Sequence, residues 1–199
     1  MRKMIMLMVI MVSVMLAACN EEHNDVDEND ANGDKHQEKE EKEETTNSDG
    51  EKTKVEDQLD LAIGDTGTFD TTIGIYEVTV ESAELVGPEL EGIETELDDF
   101  LLLDMSIKNI GEKPLSLEDV IVSLDVTKDL DKSGFHDSSE AFESVSTFSG
   151  KIESGETIGG QFIAQVYKSD IYYFRENPGT VAAGGSNQVI WNIPVEELK

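Results

Sequence analysis

Short apolar runs separated by turn-forming residues constrain the fold of this chain more than any other feature of its sequence. In residues 75–83, apolar and polar side chains alternate and β-branched residues are frequent, which is typical of a half-buried β-strand. Residues 100–109 are apolar on both faces in their first half, as a central strand of a sheet would be. Further strands are predicted over residues 120–127, 157–167, 171–174 and 188–193.

Glycine, proline, asparagine and aspartate interrupt these runs and predict turns between the strands. Gly87-Pro88 ends the first strand, and an acidic loop follows it over residues 89–99. Residues 141–148 fit either a short strand or an irregular edge. Because helical periodicity is weak from residue 59 onward, the pattern predicts an all-β fold, an antiparallel immunoglobulin-like β-sandwich of about seven strands over residues 59–199.

The N-terminal residues follow the order of a secretory signal peptide. Arg2 and Lys3 give a short positive start, and an apolar run from Met4 to Leu16 follows, interrupted by Ser13. This run has 13 residues, which is fewer than the roughly 20 that span a bilayer as a helix. An uncleaved N-terminal anchor is the alternative interpretation.

Leu16-Ala17-Ala18-Cys19 closes this leader and contains the single cysteine of the chain. The four residues resemble the lipobox of bacterial lipoproteins. The resemblance implies a diacylglyceryl thioether on Cys19, removal of residues 1–18 and membrane anchoring on the extracellular face of the cell, for which two acyl chains suffice. One cysteine cannot form an internal disulfide, so the core must be held by packing.

Residues 19–58 are acidic and contain almost no apolar side chains. Such a segment cannot bury enough apolar surface to offset the entropy of ordering, so a disordered linker is predicted. Residues 59–199 carry 28 acids against 8 bases. A domain with this charge repels phosphate backbones, so nucleic acid is not expected as a partner. A basic envelope protein or peptide is the predicted partner, and the domain itself is predicted to be a monomer.

Several turn motifs lie beside the predicted strands. Gly64-Asp65-Thr66 precedes a strand, residues 108–114 read Lys-Asn-Ile-Gly-Glu-Lys-Pro, and Ser154-Gly155-Glu156 precedes another strand. With these motifs, residues 60–195 resemble the telokin-like, immunoglobulin-like domain of uncharacterised lipoproteins from Gram-positive bacteria. The family has proline at the position of Ser154. The resemblance implies the fold and the location, and it carries over no functional residue.

Residues 129–140 match the order of a twelve-residue calcium loop, with hard oxygen ligands around a turn glycine, Gly134. His136 stands where such loops favour an aliphatic residue, and the flanks are predicted strands instead of helices. A plain turn of Asp, Ser and Gly is therefore the alternative. The candidate calcium ligands are Asp129, Asp131, Ser133, Phe135 through its carbonyl, Asp137 and Glu140.

Four other features carry weaker chemical signals. His136 lies near several acids and Ser138, so a Ser-His-Asp arrangement is conceivable, although no nucleophile elbow accompanies it. Arg175 fits a salt bridge. The acidic residues Glu94, Glu96, Asp98 and Asp99 fit a solvated loop or a cation patch. The aromatic residues Tyr167, Tyr172, Tyr173 and Phe174 fit either sandwich core or a binding platform.

Together, these patterns favour a non-enzymatic, membrane-anchored lipoprotein that displays a β-sandwich binding module outside the cell, without a cofactor. The first alternative is a calcium- or cation-binding envelope module that uses residues 129–140. The second alternative is an envelope hydrolase.

Overall fold

The computed structural model of the chain describes residues 55–199. The predicted signal peptide, the predicted lipidation site Cys19 and the predicted linker as far as residue 54 lie outside the described residues. In chain order the strands are β1 (Gln58–Leu61), β2 (Thr66–Thr71), β3 (Gly74–Gly87), β4 (Glu89–Leu90), β5 (Ile93–Glu94), β6 (Asp99–Asn109), β7 (Leu115–Ser116), β8 (Leu124–Thr127), β9 (Lys151–Ile152), β10 (Thr157–Val166), β11 (Ile171–Glu176) and β12 (Val189–Pro194).

Two short α-helices, α1 (Leu117–Val122) and α2 (Pro178–Ala182), and two 3₁₀ turns, Ser139–Ala141 and Val195–Glu197, complete the described part. Within residues 55–199, no helix has the length and apolarity needed to cross a membrane.

Eight strands form the two main sheets of a β-sandwich. The first sheet has the order β2-β3-β6-β10 and is antiparallel throughout. The second has the order β1-β12-β11-β8, in which β1 and β12 are parallel and the other pairs antiparallel. The small pairs β4-β5 and β7-β9 lie outside these sheets. The predicted all-β, antiparallel sandwich is confirmed, with eight strands in its main sheets where about seven were expected.

The predicted strand over residues 120–127 is wrong in its first half, because those residues belong to helix α1. Ser116 caps this helix, since its hydroxyl accepts a hydrogen bond from the backbone N–H of Asp119. Leu117, Val120 and Ile121 follow the i, i+3, i+4 spacing of one helix face, and all three are buried. Burial of this face outweighs the β propensity of the β-branched residues.

Aromatic side chains dominate the core between the two sheets. Trp191 of β12 is fully buried, and its indole N–H donates to the Asp65 carbonyl at 3.1 Å. The rings of Phe69 and Tyr76 stack with centroids 4.9 Å apart. Burial of one such side chain contributes about 1.5–3 kcal/mol. A Cβ on Gly67 would lie 2.5–2.8 Å from Val189 and Trp191, so the close approach of the sheets there requires glycine.

Asn109, which ends β6, gives the Lys-Asn-x-Gly-x-x-Pro motif a structural role. Its side chain is buried and donates to the carbonyls of Lys113 at 2.8 Å and Ile152 at 3.0 Å. Its Oδ1 accepts from the Gly111 N–H at 2.9 Å. The asparagine thus closes the turn and ties it to β9.

Side-chain amides connect the two sheets along one side of the sandwich. The Gln58 amide donates to the Thr68 carbonyl at 2.7 Å and accepts from the Thr68 N–H at 3.1 Å. Asn187 accepts from the Asp70 N–H at 2.9 Å. These bonds occupy backbone groups of β2 that an exposed edge strand would present to other chains.

The loop of residues 128–150 connects the sheets along the other side. Phe135 exchanges backbone hydrogen bonds of 2.8 and 3.0 Å with Val126 of β8. The Ser138 N–H donates to the Ile163 carbonyl of β10 at 2.8 Å. The segment with the predicted calcium ligands therefore extends both sheets.

Candidate functional site

A groove of about 820 Å³ lies on the outer face of the second sheet. Its volume is in the range of sites that hold a ligand or an inserted side chain. β11 and β12 form the floor, β1 and Leu130 form the sides, and α2 closes one end. The apolar residues that line it include Leu59, Leu130, Ile171, Tyr173, Pro178, Val181, Ala182 and Ile190.

The groove is apolar because two strands carry apolar side chains on both faces. Along β11, Tyr172 and Phe174 face the core, so Ile171 and Tyr173 face outward. Sheets with one solvated face normally alternate apolar with polar residues. Leu59 and Leu130 remain 46% and 41% exposed. Exposed apolar side chains grouped in a groove in this way make it a candidate binding site.

Arg175 lies on the groove floor and is 95% buried. Its Nε donates to Oδ1 of the fully buried Asp125, directly opposite on β8, at 3.0 Å. Its Nη1 donates to the Leu130 carbonyl at 2.7 Å, and its Nη2 donates to the Lys132 carbonyl. The predicted salt bridge of Arg175 is confirmed. Because the guanidinium binds two loop carbonyls, it also holds Leu130 at the side of the groove.

The predicted calcium ligands at the start of the loop have protein partners. Asp129 accepts from the Asp131 N–H at 3.1 Å and lies 3.3 Å from Lys132 Nζ, and these contacts lower the pKa of Asp129. Asp131 and Ser133 are exposed.

The remaining ligand candidates point to other groups. The Phe135 carbonyl accepts from Val126, Asp137 accepts from the Ile163 N–H at 2.9 Å, and Glu140 is exposed. Within residues 55–199, no group of three or more His, Cys, Asp or Glu residues is placed to hold a metal ion. The calcium site stays a prediction. Two carbonyls of this loop, those of Leu130 and Lys132, bind the guanidinium of Arg175.

His136, Asp137 and Ser138 direct their hydrogen bonds to other groups. His136 Nδ1 lies 3.1 Å from the Leu124 carbonyl, which can only accept, so Nδ1 carries the proton. The Ser138 hydroxyl donates to the Ile163 carbonyl at 3.0 Å, and Asp137 accepts from the Ser139 hydroxyl at 2.5 Å. His136, Asp137 and Ser138 therefore do not form a Ser-His-Asp hydrogen-bond chain with one another. The envelope hydrolase stays a prediction.

The aromatic candidates divide between core and surface. Tyr172 and Phe174 are buried, whereas Tyr173 lies on the groove floor. Tyr167 is 46% exposed, and Lys128 Nζ lies 5.0 Å from its ring centroid.

The acidic candidates fit a solvated loop. Asp98 accepts from the Lys168 N–H at 2.8 Å, and Asp99 accepts from the Gly87 N–H at 2.8 Å. Glu94 and Glu96 are exposed.

A buried glutamate stands where β11 leads into α2, at the closed end of the groove. Glu176 is 3% exposed, and its carboxyl group accepts from the Ser186 hydroxyl. Burial raises the pKa of Glu176 to about 7, against a smaller opposite effect of Ser186. The hydroxyl of Tyr76 is also buried and has no hydrogen-bond partner within the described part of the chain. Burial and the nearby Glu176 raise the pKa of Tyr76.

Sequence reasoning named Tyr173 among the candidates for a binding platform, but it missed the rest of the groove and Glu176. The sequence signal for the groove is that all four residues from 171 to 174 are apolar. The same pattern fits a strand buried on both faces, so it does not by itself predict a groove. Glu176 is a charged residue at a strand end, a position that is usually solvated.

No protein-family model matches the sequence, and no curated protein matches it. Among solved structures, the secreted protein MPT63 from Mycobacterium tuberculosis is similar, with a TM-score of 0.50, 13% identity and coverage of 67% of this chain and 96% of that one. A protein assigned as a lipoprotein, ycdA from Bacillus subtilis, has a TM-score of 0.47 and 16% identity, over 65% of this chain. The chain spans 39% of the length of ycdA.

An uncharacterised β-sandwich protein from Clostridium difficile has a TM-score of 0.40 and 16% identity, over 71% of this chain and 97% of that one. At such identities, the likeness to MPT63 shows the fold alone. The chain is a β-sandwich of a kind that bacterial proteins contain.

Proposed function

We propose that this protein is a lipid-anchored, non-enzymatic binding module on the outside of the cell, and that its groove binds a basic, apolar segment of another envelope protein. The observation that carries the proposal is the apolar groove on the outer face of the second sheet, with Leu59 and Leu130 largely exposed at its sides. An unpartnered apolar surface on an acidic domain calls for a partner that covers it.

The charge of the domain selects the chemistry of that partner. Residues 59–199 carry 28 acids and 8 bases, so their field attracts cationic segments and repels anionic ones. Inside the groove, Asp60 adds a negative charge, and Asp125 neutralises Arg175. Ile171, Tyr173 and Ile190 require apolar side chains above them. A segment that combines lysine or arginine with apolar residues meets both conditions.

The location rests on the leader and on Cys19, where the lipobox resemblance implies the anchor. The secreted status of MPT63, which shares the fold, supports an extracellular place for this domain.

Site-directed photo-crosslinking in intact cells tests the proposal. A photoreactive residue at position 59 or 130, in the groove, is compared with one at position 158. Ile158 is a matched control because it is 37% exposed and lies on β10 of the other sheet. We expect one envelope protein to be captured from both groove positions and not from the control, through a basic, apolar segment.

A synthetic peptide of the captured segment then provides the quantitative test on the full-length protein. Tyr173→Asp, which places a charge on the groove floor, is expected to weaken binding at least tenfold, and Ile158→Asp is expected to leave it unchanged. Raising the salt concentration should also weaken binding, because the charge term is screened. Equal capture from all three positions, or a peptide that binds the Tyr173→Asp variant as well as wild type, would refute the groove as the site.

A further inference from the structure

The segment of residues 178–186, which contains α2 and closes one end of the groove, is attached to the sandwich by few contacts. None of the residues of α2 is buried. On one side the segment is fixed by the Asn177 N–H, which donates to the Ser123 carbonyl at 2.7 Å. On the other side Asn187 is fixed to β2. A segment that buries so little apolar surface opens at low free-energy cost.

Two contacts hold the part between these fixed points against the sandwich. The Thr72 N–H donates to the Gly185 carbonyl at 3.1 Å, beside a single β-bridge between Thr71 and Ser186. The Ser186 hydroxyl also bonds to the buried carboxyl group of Glu176. When Glu176 is neutral, its O–H can donate to Ser186 Oγ while the Ser186 hydroxyl donates to the Asn187 carbonyl at 2.9 Å. The closed position therefore depends on a bond to a titratable group.

The surroundings of Glu176 provide no positive charge. On the inner face of the sheet it lies beside Leu124 of β8, and the titratable group that faces it is the phenol of Tyr76 on β3. Arg175 and Asp125 pair on the opposite face of the same sheet. Among the ion pairs of the described residues, none includes Glu176.

The two protonation states of Glu176 therefore differ in what they require. A neutral carboxyl group can remain buried beside the hydroxyls of Ser186 and Tyr76. A carboxylate in the same place has lost its water and gains no cation, which is costly. The segment 178–186 meets this carboxyl group through Ser186, and Pro178, Val181 and Ala182 line the groove together with Glu176. Because α2 buries no residue, lifting the segment costs little packing.

We propose that Glu176 is a proton-operated latch: its neutral carboxyl group holds the segment 178–186 closed over the end of the groove, and its ionisation releases that segment. The latch concerns the opening of the free protein and does not rest on the proposed partner. Because Pro178, Val181 and Ala182 line the groove, release of the segment removes one end wall of the groove.

Amide hydrogen exchange of the full-length chain at pH 6 and pH 8, corrected for the intrinsic pH dependence of exchange, tests the latch. The reporter of lifting is the Thr72 amide, which donates to the Gly185 carbonyl in the segment. The amides of Ala183 and Gly184 donate to Gly179 and Val181 inside the segment, so they serve as further reporters of its unwinding on release. A carboxyl group with a pKa of about 7 when closed and 4.5 when open favours opening about tenfold more at pH 8 than at pH 6. We expect this increase at the reporters, with an opening free energy that stays below that of the β6 core amides at both pH values.

Two variants identify the group responsible. Glu176→Gln, which is close in shape to the neutral acid, should keep the reporters protected at both pH values. Glu197→Gln, at an exposed position, should keep the wild-type response. Ser186→Ala should raise exchange at pH 6 towards the pH 8 level, because the closing bond is lost.

Three results would each overturn the latch. The first is equal protection of the wild-type reporters at both pH values. The second is a pH response that persists in Glu176→Gln. The third is an opening free energy at the reporters equal to that of the β6 amides at both pH values, which would show that the reporters exchange only when the whole domain unfolds.

Discussion

Removing the guanidinium of Arg175 should cost this domain a large part of its stability. Asp125 is fully buried, and the Arg175→Met substitution leaves its carboxylate with the Gly134 N–H, at 3.1 Å, as its remaining hydrogen-bond donor in the structure. Breaking a buried ion pair from one side costs about 3–5 kcal/mol. The carbonyls of Leu130 and Lys132 lose their charged donor as well. Domains of this size are stable by only about 5–15 kcal/mol.

Urea unfolding at pH 7, followed by the fluorescence of Trp191, measures this loss, because Trp191 is the single tryptophan of the chain and fully buried. We expect Arg175→Met to lower the free energy of unfolding by about 3–5 kcal/mol and the melting temperature by about 10 °C. Arg175→Lys keeps the charge but lacks the planar fork, so an intermediate loss is expected.

The double variant Arg175→Met with Asp125→Leu separates the cost of an orphaned charge from the value of the pair itself. It removes both charges and should recover most of the stability, because a hydrophobic pair often replaces a buried ion pair at little cost. A loss below about 1 kcal/mol in Arg175→Met would refute the reasoning, since Asp125 would then reach water without the arginine. A double variant as unstable as Arg175→Met would show instead that the loop bonds carry the stability.

Three further perturbations follow, two from the structure and one from the sequence. Gly134→Ala should destabilise the domain by about 1–3 kcal/mol in urea unfolding, because its Cβ would lie 2.6 Å from Asp125 Oδ1. Gly159→Ala is the control and should cost much less, because the nearest atom to its Cβ is 3.9 Å away. Equal losses of stability in the two variants would contradict this reasoning. Glu176 has a folded-state pKa of about 7, above its ordinary 4.5, so its stabilising contribution is complete below pH 4.5 and is lost as pH rises through 7. Wild-type unfolding measured across this range should therefore lose about 3 kcal/mol that Glu176→Gln does not lose, and parallel curves for the two proteins would argue against a buried acid. Cys19→Ala should move the protein from the membrane fraction to the medium, and retention in the membrane would contradict lipid anchoring.

Strand positions were predictable from the sequence because alternation of apolar and polar residues is a local signal. The predicted strands over 75–83, 100–109, 157–167 and 188–193 correspond to β3, β6, β10 and β12 within a few residues at their ends. The end of β3 was also predictable, since Gly87 has a φ of +98° that other residues rarely adopt.

Helix α1 was not predictable on the same basis. Val120, Ile121 and Val122 are β-branched and favour a strand when taken alone. The helix forms because Ser116 caps its first turn and because Leu117, Val120 and Ile121 all reach the core. The capping residue Ser116 is visible in the sequence. The burial of Leu117, Val120 and Ile121, which stabilises the helix, depends on the positions of the two sheets.

The predicted calcium loop shows why a ligand order is weaker evidence than a ligand geometry. The spacing of oxygen-bearing residues from Asp129 to Glu140 is a property of the sequence, whereas convergence of those oxygens depends on the path of the loop. That path is set by Arg175, because its guanidinium binds two loop carbonyls. Arg175 lies 35 positions beyond Glu140 in the sequence.

Local pattern and charge therefore sufficed to predict an acidic, all-β domain, which the structure confirms, and to predict a secretory leader before it, because these properties depend on neighbours in sequence. The groove and the latch depend on which strands pair. Leu59, Leu130 and Ile190 meet at one groove because β1, β12 and β11 are adjacent and Arg175 holds the loop beside them. Glu176 is buried because it lies opposite Leu124 of β8 and bonds to the Ser186 hydroxyl. Such contacts join residues that are far apart in the sequence, and they form because the packed arrangement has the lowest free energy. The pattern of apolar and polar residues along the chain does not predict them.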